Sequence, residues 1–232
     1  MSKMWYNYLG GNVKKYYKYE LNMSIMNILS VVIFIGFLAI ISISGYDITE
    51  NINYSFYIIG IIFYLILHEV LHGLGYSFFA KDKKNIKFGI ALEKGVLYAA
   101  CQEALNKKQI LISLMLPTLL LSVIALPVGL IFNFNWLVIF SIINLGGSIA
   151  DILMMILIIR APKDVAYLDY NTDIGVYLIS ECDMSNLKSF GFILTDQGQE
   201  NKKEIDKSIK RFYISKYSCI ILAIVFLICI IL

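Results

Sequence analysis

Five long apolar runs, separated by polar stretches, set the plan of this chain. Met23 to Ser44, Ser55 to Ala80, Gln109 to Phe132, Trp136 to Ile159 and Phe212 to Leu232 are each almost wholly apolar. Each is long enough to cross a bilayer as a helix, which takes about 20 residues. The loop Gly45 to Tyr54 carries Asp47 and Glu50 and no cation. The third run holds Pro117 and Pro127, which membrane helices tolerate and which mark kinks. Asn133-Phe134-Asn135 predicts a turn before the fourth run, and Arg160-Ala161-Pro162 ends that run.

The polar stretches predict smaller elements. Residues 1–22 mix lysines with Trp5 and several tyrosines, a combination suited to the membrane–water interface or to a basic tail. Within Lys81 to Lys108, Ile86, Phe88, Ile90 and Leu92 alternate with other residues, Glu93-Lys94-Gly95 supplies a turn, and Val96 to Ala100 resumes extended character. That pattern predicts a β-hairpin, the alternative being an interfacial loop. In the segment after Pro162, Ile174 to Ile179 and Phe190 to Leu194 read as strands, and Gln199 to Arg211 as a charged helix. The fold class expected from these patterns is an all-α polytopic membrane protein of about five transmembrane helices. A small cytoplasmic β-hairpin would follow its second helix. The expected divisions are an interfacial segment 1–22, a core 23–211 with cytoplasmic loops 81–108 and 160–211, and a last helix 212–232.

Composition supports membrane residence. Hydrophobic residues make up 59% of the 232 and mean hydropathy is +0.72, above the roughly 45–50% apolar content of soluble domains. A net charge of +3 gives no reason to expect nucleic acid. The four cysteines are scattered and form no C-x-x-C pair, so neither a zinc knuckle nor a disulfide framework is indicated. The first apolar run begins late and lacks a small-residue cleavage site, so a cleavable signal peptide is not expected. All 20 Lys and Arg fall within residues 1–21, 81–108 or 160–216. Five spans put these regions on one side, and positive charge marks the cytoplasm. The expected topology therefore has the amino terminus and both large loops inside and the carboxyl terminus outside.

The chemistry concentrates in His68-Glu69-Val70-Leu71-His72. On a helix, residues four apart share a face, so the chain's only two histidines can offer both imidazoles to one metal ion. Glu69 is placed to take a proton from a water held at that metal. The flanks Tyr64 to Leu67 and Gly73 to Tyr76 contain no charge. Ionisable groups in such surroundings are costly and mark function. Catalytic zinc commonly takes three protein ligands. Apart from the motif, the only ionisable residue deep in any run is Asp151. By the helical rise His68 and His72 lie ~12–18 Å from the inner end of their run, and Asp151 ~14 Å from the same end of its own. Asn144, Ser148 and Asp151 share one helical face, and Gly146 and Gly147 would let that fourth run approach the second one closely. Asn144 can bind substrate, steady a developing oxyanion, or simply bond a neighbouring helix. Glu103, Asp169 and Asp173 compete with Asp151 as the third ligand.

These residues resemble those of intramembrane zinc metalloproteases. A membrane helix bearing H-E-x-x-H and a later membrane helix supplying an aspartate match the broad site-2 protease class. The likeness is closer to a family of small bacterial membrane proteins, the zincin-type membrane peptidases. It rests on the His-Glu-x-x-His-Gly stretch at 68–73, the short β segment after it, the proline-bearing third run and Gly147-Ser148-Ile149-Ala150-Asp151, and it covers roughly residues 55–180. Site-2 proteases carry Asn-x-x-Pro…Asp-Gly in the later helix. Here no proline lies between Asn144 and Asp151, and Ile152 stands where the glycine would be. The resemblance implies zinc bound by His68, His72 and Asp151, Glu69 as general base, and a membrane-embedded or membrane-anchored peptide as substrate. The alternative is a membrane metal-binding protein without proteolysis: a scaffold, an immunity factor or a divalent-cation transporter. Transport would call for polar residues at several depths and repeated halves, and this chain shows one cluster at one depth.

Overall fold

The computed structural model describes residues 15–47, 54–91, 96–169 and 175–199. Its helices are α1 (Met23–Ile43), α2 (Tyr54–Ser77), α3 (Lys107–Ile131), α4 (Asn135–Gly147) and α5 (Ile149–Arg160). α3 passes through a π-helical turn at Leu119–Ile124. The strands are β1 (Lys15–Leu21), β2 (Ile86–Ala91), β3 (Val96–Cys101), β4 (Leu105–Asn106), β5 (Ala166–Asp169), β6 (Gly175–Ser180) and β7 (Phe192–Gln199).

This is a mixed α/β fold, and the expectation of an all-α polytopic protein is wrong. β2 and β3 form the expected antiparallel hairpin, Ile86 opposite Cys101 and Ala91 opposite Val96. The remaining strands build a second, five-stranded sheet in the order β4-β5-β6-β1-β7. β1 comes from the stretch read as an interfacial or basic tail, yet it lies between two partners, with Tyr17 opposite both Leu178 and Gln197. Its mixture of tyrosines and charged residues suits a pleated strand as well as an interface. Only pairing to strands some 160 residues away, as in Tyr17 with Leu178, decides between them.

Three helices, α1, α2 and α3, are long and apolar enough to cross a membrane, consistent with membrane association. α4 and α5 meet at a bend of 46° and together make a fourth candidate, a broken span or a re-entrant loop. Gln199, the expected start of the charged helix, ends β7 instead, and the rest of that stretch, 200–211, lies outside the described residues, as does the last run, 212–232. α1 presents Ile28, Val31, Val32, Ile35, Ile40 and Ile43 outward and buries only Ile41. Asn133 takes the left-handed φ of 56° in the expected turn between α3 and α4, a conformation asparagine adopts readily.

The sheet closes one end of the helix cluster. Tyr17, Tyr19, Val176, Leu178 and Phe192 pack in one core with Tyr76, Ile110, Leu114, Leu153 and Leu157. A leucine as fully buried as Leu178 contributes about 1.5–3 kcal/mol. Buried tyrosines need partners for their hydroxyls. The Tyr19 hydroxyl donates to the carbonyls of Met184 and Leu187 at 2.9 and 3.0 Å, and that of Tyr167 to Ile158 at 3.3 Å. Segments of all three basic regions thus meet at one end, in the sheet and the hairpin beside it.

Candidate metal centre

α2 carries the two histidines one turn apart, and both are buried. Their rings stand 4.8 Å apart between centroids at 77°. Asp151 arrives from the first turn of α5, just past the break at Ser148, where the positive end of the helix dipole favours a carboxylate. His68 Nε2 lies 3.1 Å and His72 Nε2 3.3 Å from Asp151 Oδ2. The two Nε2 atoms are 3.1 Å apart. Among the described residues this is the one cluster of His, Cys, Asp and Glu that could hold a metal ion.

The other ring nitrogen of each histidine is already engaged. His68 Nδ1–H donates to Asn144 Oδ1 at 2.8 Å, and His72 Nδ1–H to the backbone carbonyl of Ser113 at 2.9 Å. With the protons on Nδ1, both Nε2 lone pairs and a carboxylate oxygen face one point. Electron pairs crowded in this way repel one another unless a cation or a proton lies among them. Tetrahedral zinc, at about 2.0–2.1 Å from its ligands, sets their atoms about 3.3–3.4 Å apart. The observed triangle of 3.1, 3.1 and 3.3 Å fits that spacing. Two imidazoles and a carboxylate are also a donor set that catalytic zinc takes.

Asn144 itself sits in a closed network. Its Nδ2 donates to Ser122 Oγ at 2.8 Å and to Ser148 Oγ at 3.4 Å. The Ser122 hydroxyl donates to the Ser141 carbonyl at 3.0 Å. Of the roles expected for Asn144, the one visible here is a bond to a neighbouring helix, and its partner there is His68. Glu69 is partly buried and accepts a hydrogen bond from the backbone N–H of Ala99 in β3. The hairpin therefore borders the site.

Residues 61–166 match a family described as "Putative zincin peptidase".

The matched stretch is somewhat under half of the chain. It holds His68, Glu69, His72, Asn144 and Asp151, with the hairpin and α3 between them. No curated protein and no solved structure matches the chain.

The rival acids stand elsewhere. Glu103 accepts from the backbone N–H groups of Lys81 and Asp82 at 2.9 and 3.0 Å and from Asn85 Nδ2 at 2.7 Å. Burial works against its charge, but these three donors prevail and hold its pKa below the usual glutamate value. Asp169 ends β5 opposite Val176, and Asp173 lies outside the described residues. Sequence reasoning missed Ser113 and Ser122, both on α3, which reach the two imidazoles directly or through Asn144. Serines in an apolar run are a weak signal, because a serine hydroxyl can bond its own helix, as Ser113 Oγ does to Gln109 O.

Proposed function

We propose that the chain is a zinc-dependent endopeptidase acting on peptides within or beside the membrane. The observation that carries this reading is the convergence of His68 Nε2, His72 Nε2 and Asp151 Oδ2 at zinc-ligand spacing, next to Glu69. His68, His72 and Asp151 would hold the ion, which when bound supplies Lewis acidity and acidifies a water. Glu69 takes a proton from the attacking water and delivers it to the leaving amine. The N–H of Ala99 steadies the Glu69 carboxylate for that exchange. Asn144 and the Ser113 carbonyl hold the imidazoles in the tautomer that leaves Nε2 free.

The same reading extends to the arrangement in the membrane. α1, α2, α3 and the broken pair α4–α5 cross the bilayer, with the basic sheet end in the cytoplasm. The centre then lies below the cytoplasmic surface, and a water-filled path leads to it. A helical substrate has its backbone amides paired, so it must unwind before cleavage. The hairpin edge at β3 offers backbone partners to the unwound segment, as in β-strand addition. Purified full-length protein in lipid nanodiscs, offered a panel of single-span peptides, tests the reading. Cleavage that a zinc chelator stops, and that Glu69→Gln lacks while retaining zinc, supports it. Cleavage that survives either treatment overturns it.

A further inference from the structure

We propose that Pro117 is a positioning residue of the metal centre, leaving the Ser113 carbonyl oxygen to receive the Nδ1–H of His72. The inference rests on the zinc reading above. In an α-helix the amide of residue 117 donates to the carbonyl of residue 113. Pro117 stands inside such a helix, Lys107–Thr118, and has no amide hydrogen to give. Its ring also crowds the carbonyl four residues earlier and turns it off the helix axis. That carbonyl is Ser113 O, which accepts from His72 at 2.9 Å.

Both groups are buried, so each satisfies what would otherwise be an orphan. The contact needs α2 and α3 to touch backbone to backbone. A Cβ on Gly75 would stand 2.7 Å from the Ser113 Cα, so glycine is what lets the helices meet there. Pro117 thus acts through Ser113 on the tautomer and aim of His72, and through His72 on the ion. A kink alone would not require the freed oxygen to face an imidazole. Pro127, ten residues further along the same helix and exposed, serves as the internal control.

The test uses full-length protein in nanodiscs carrying Pro117→Ala, Pro117→Ser or Pro127→Ala. Zinc affinity is read by chelator competition, coordination by the visible spectrum of the cobalt-loaded protein, and folding by the melting of the metal-free form. Alanine or serine at 117 restores the amide, which draws Ser113 O back into the helix. Both are expected to weaken zinc by about tenfold or more and to shift the cobalt bands. The metal-free melting temperature should hold or rise, since proline is the poorest residue in a helix interior. Pro127→Ala should leave zinc affinity within about twofold of wild type, where a lost ligand partner would not. Wild-type zinc affinity and an unchanged cobalt spectrum in both Pro117 variants overturn the proposal. Equal weakening by Pro127→Ala overturns it too, because general helix packing would then explain the effect. A wild type that binds no zinc fails at an earlier point and sinks the zinc reading itself.

Discussion

Replacing Asn144 with leucine separates two roles for this residue, holding a ligand or touching substrate. The leucine is near in size and removes only the amide. Ser122 keeps its bond to the Ser141 carbonyl, and Ser148 keeps its bond to the carbonyl of residue 144. The group left without a partner is the Nδ1–H of His68, now 2.8 Å from the amide oxygen it would lose. An orphaned buried donor costs about 1–3 kcal/mol. Lost partners of metal-bound histidines lower metal affinity about 10–100-fold, or about 1.4–2.7 kcal/mol, so the two routes agree. Asn144→Leu should therefore weaken zinc by that factor in chelator competition. Asn144→Asp, which keeps an acceptor for His68, should bind zinc more tightly than the leucine variant. Unchanged zinc affinity with a fall in kcat would refute the reasoning and give Asn144 to the substrate.

Other outcomes follow from the same contacts. Gly75→Ala places a Cβ against the Ser113 backbone; overpacking of this kind costs about 1–3 kcal/mol, so a lower melting temperature and weaker zinc binding should appear together. Glu103→Ala should loosen the segment before the hairpin, seen as faster hydrogen exchange at Lys81 and Asp82, yet leave zinc stoichiometry unchanged. Because the Glu103 pKa is lowered in the fold, its contribution is full above the ordinary glutamate range and is lost as pH falls through the folded value. Protection of the same two amides, taken relative to the intrinsic exchange rate at each pH, should accordingly fall in acid, and a flat protection profile would count against the contact. Leu97→Pro, on the β3 edge, should raise KM for peptide while zinc content stays constant.

The site was far more legible than the fold. H-E-x-x-H sets its own geometry, because a helix turn fixes how His68 and His72 lie. Asp151 could be found from burial cost and depth, since both depend only on where apolar runs begin and end. The hairpin was legible because its strands are adjacent in sequence and alternate cleanly. The larger sheet was not: β1 pairs with β6 and β7 across most of the chain, and a tyrosine–lysine stretch suits a strand, an interface or a tail alike. The break between α4 and α5 was hidden as well, because Gly146-Gly147-Ser148 reads equally as a close-packing patch and as a hinge. Pro117 was visible as a kink, but which carbonyl it freed, and what met that carbonyl, required α2 and α3 to be placed together.

The most direct test of the central claim is zinc X-ray absorption on the purified full-length protein, with metal content measured on the same sample. One zinc per chain, with two imidazole nitrogens and carboxylate oxygen at about 2.0–2.2 Å, is the expected result, and His72→Ala should lose the metal. A chain that carries no zinc, or whose zinc shows sulfur ligands or survives His72→Ala, would contradict the account.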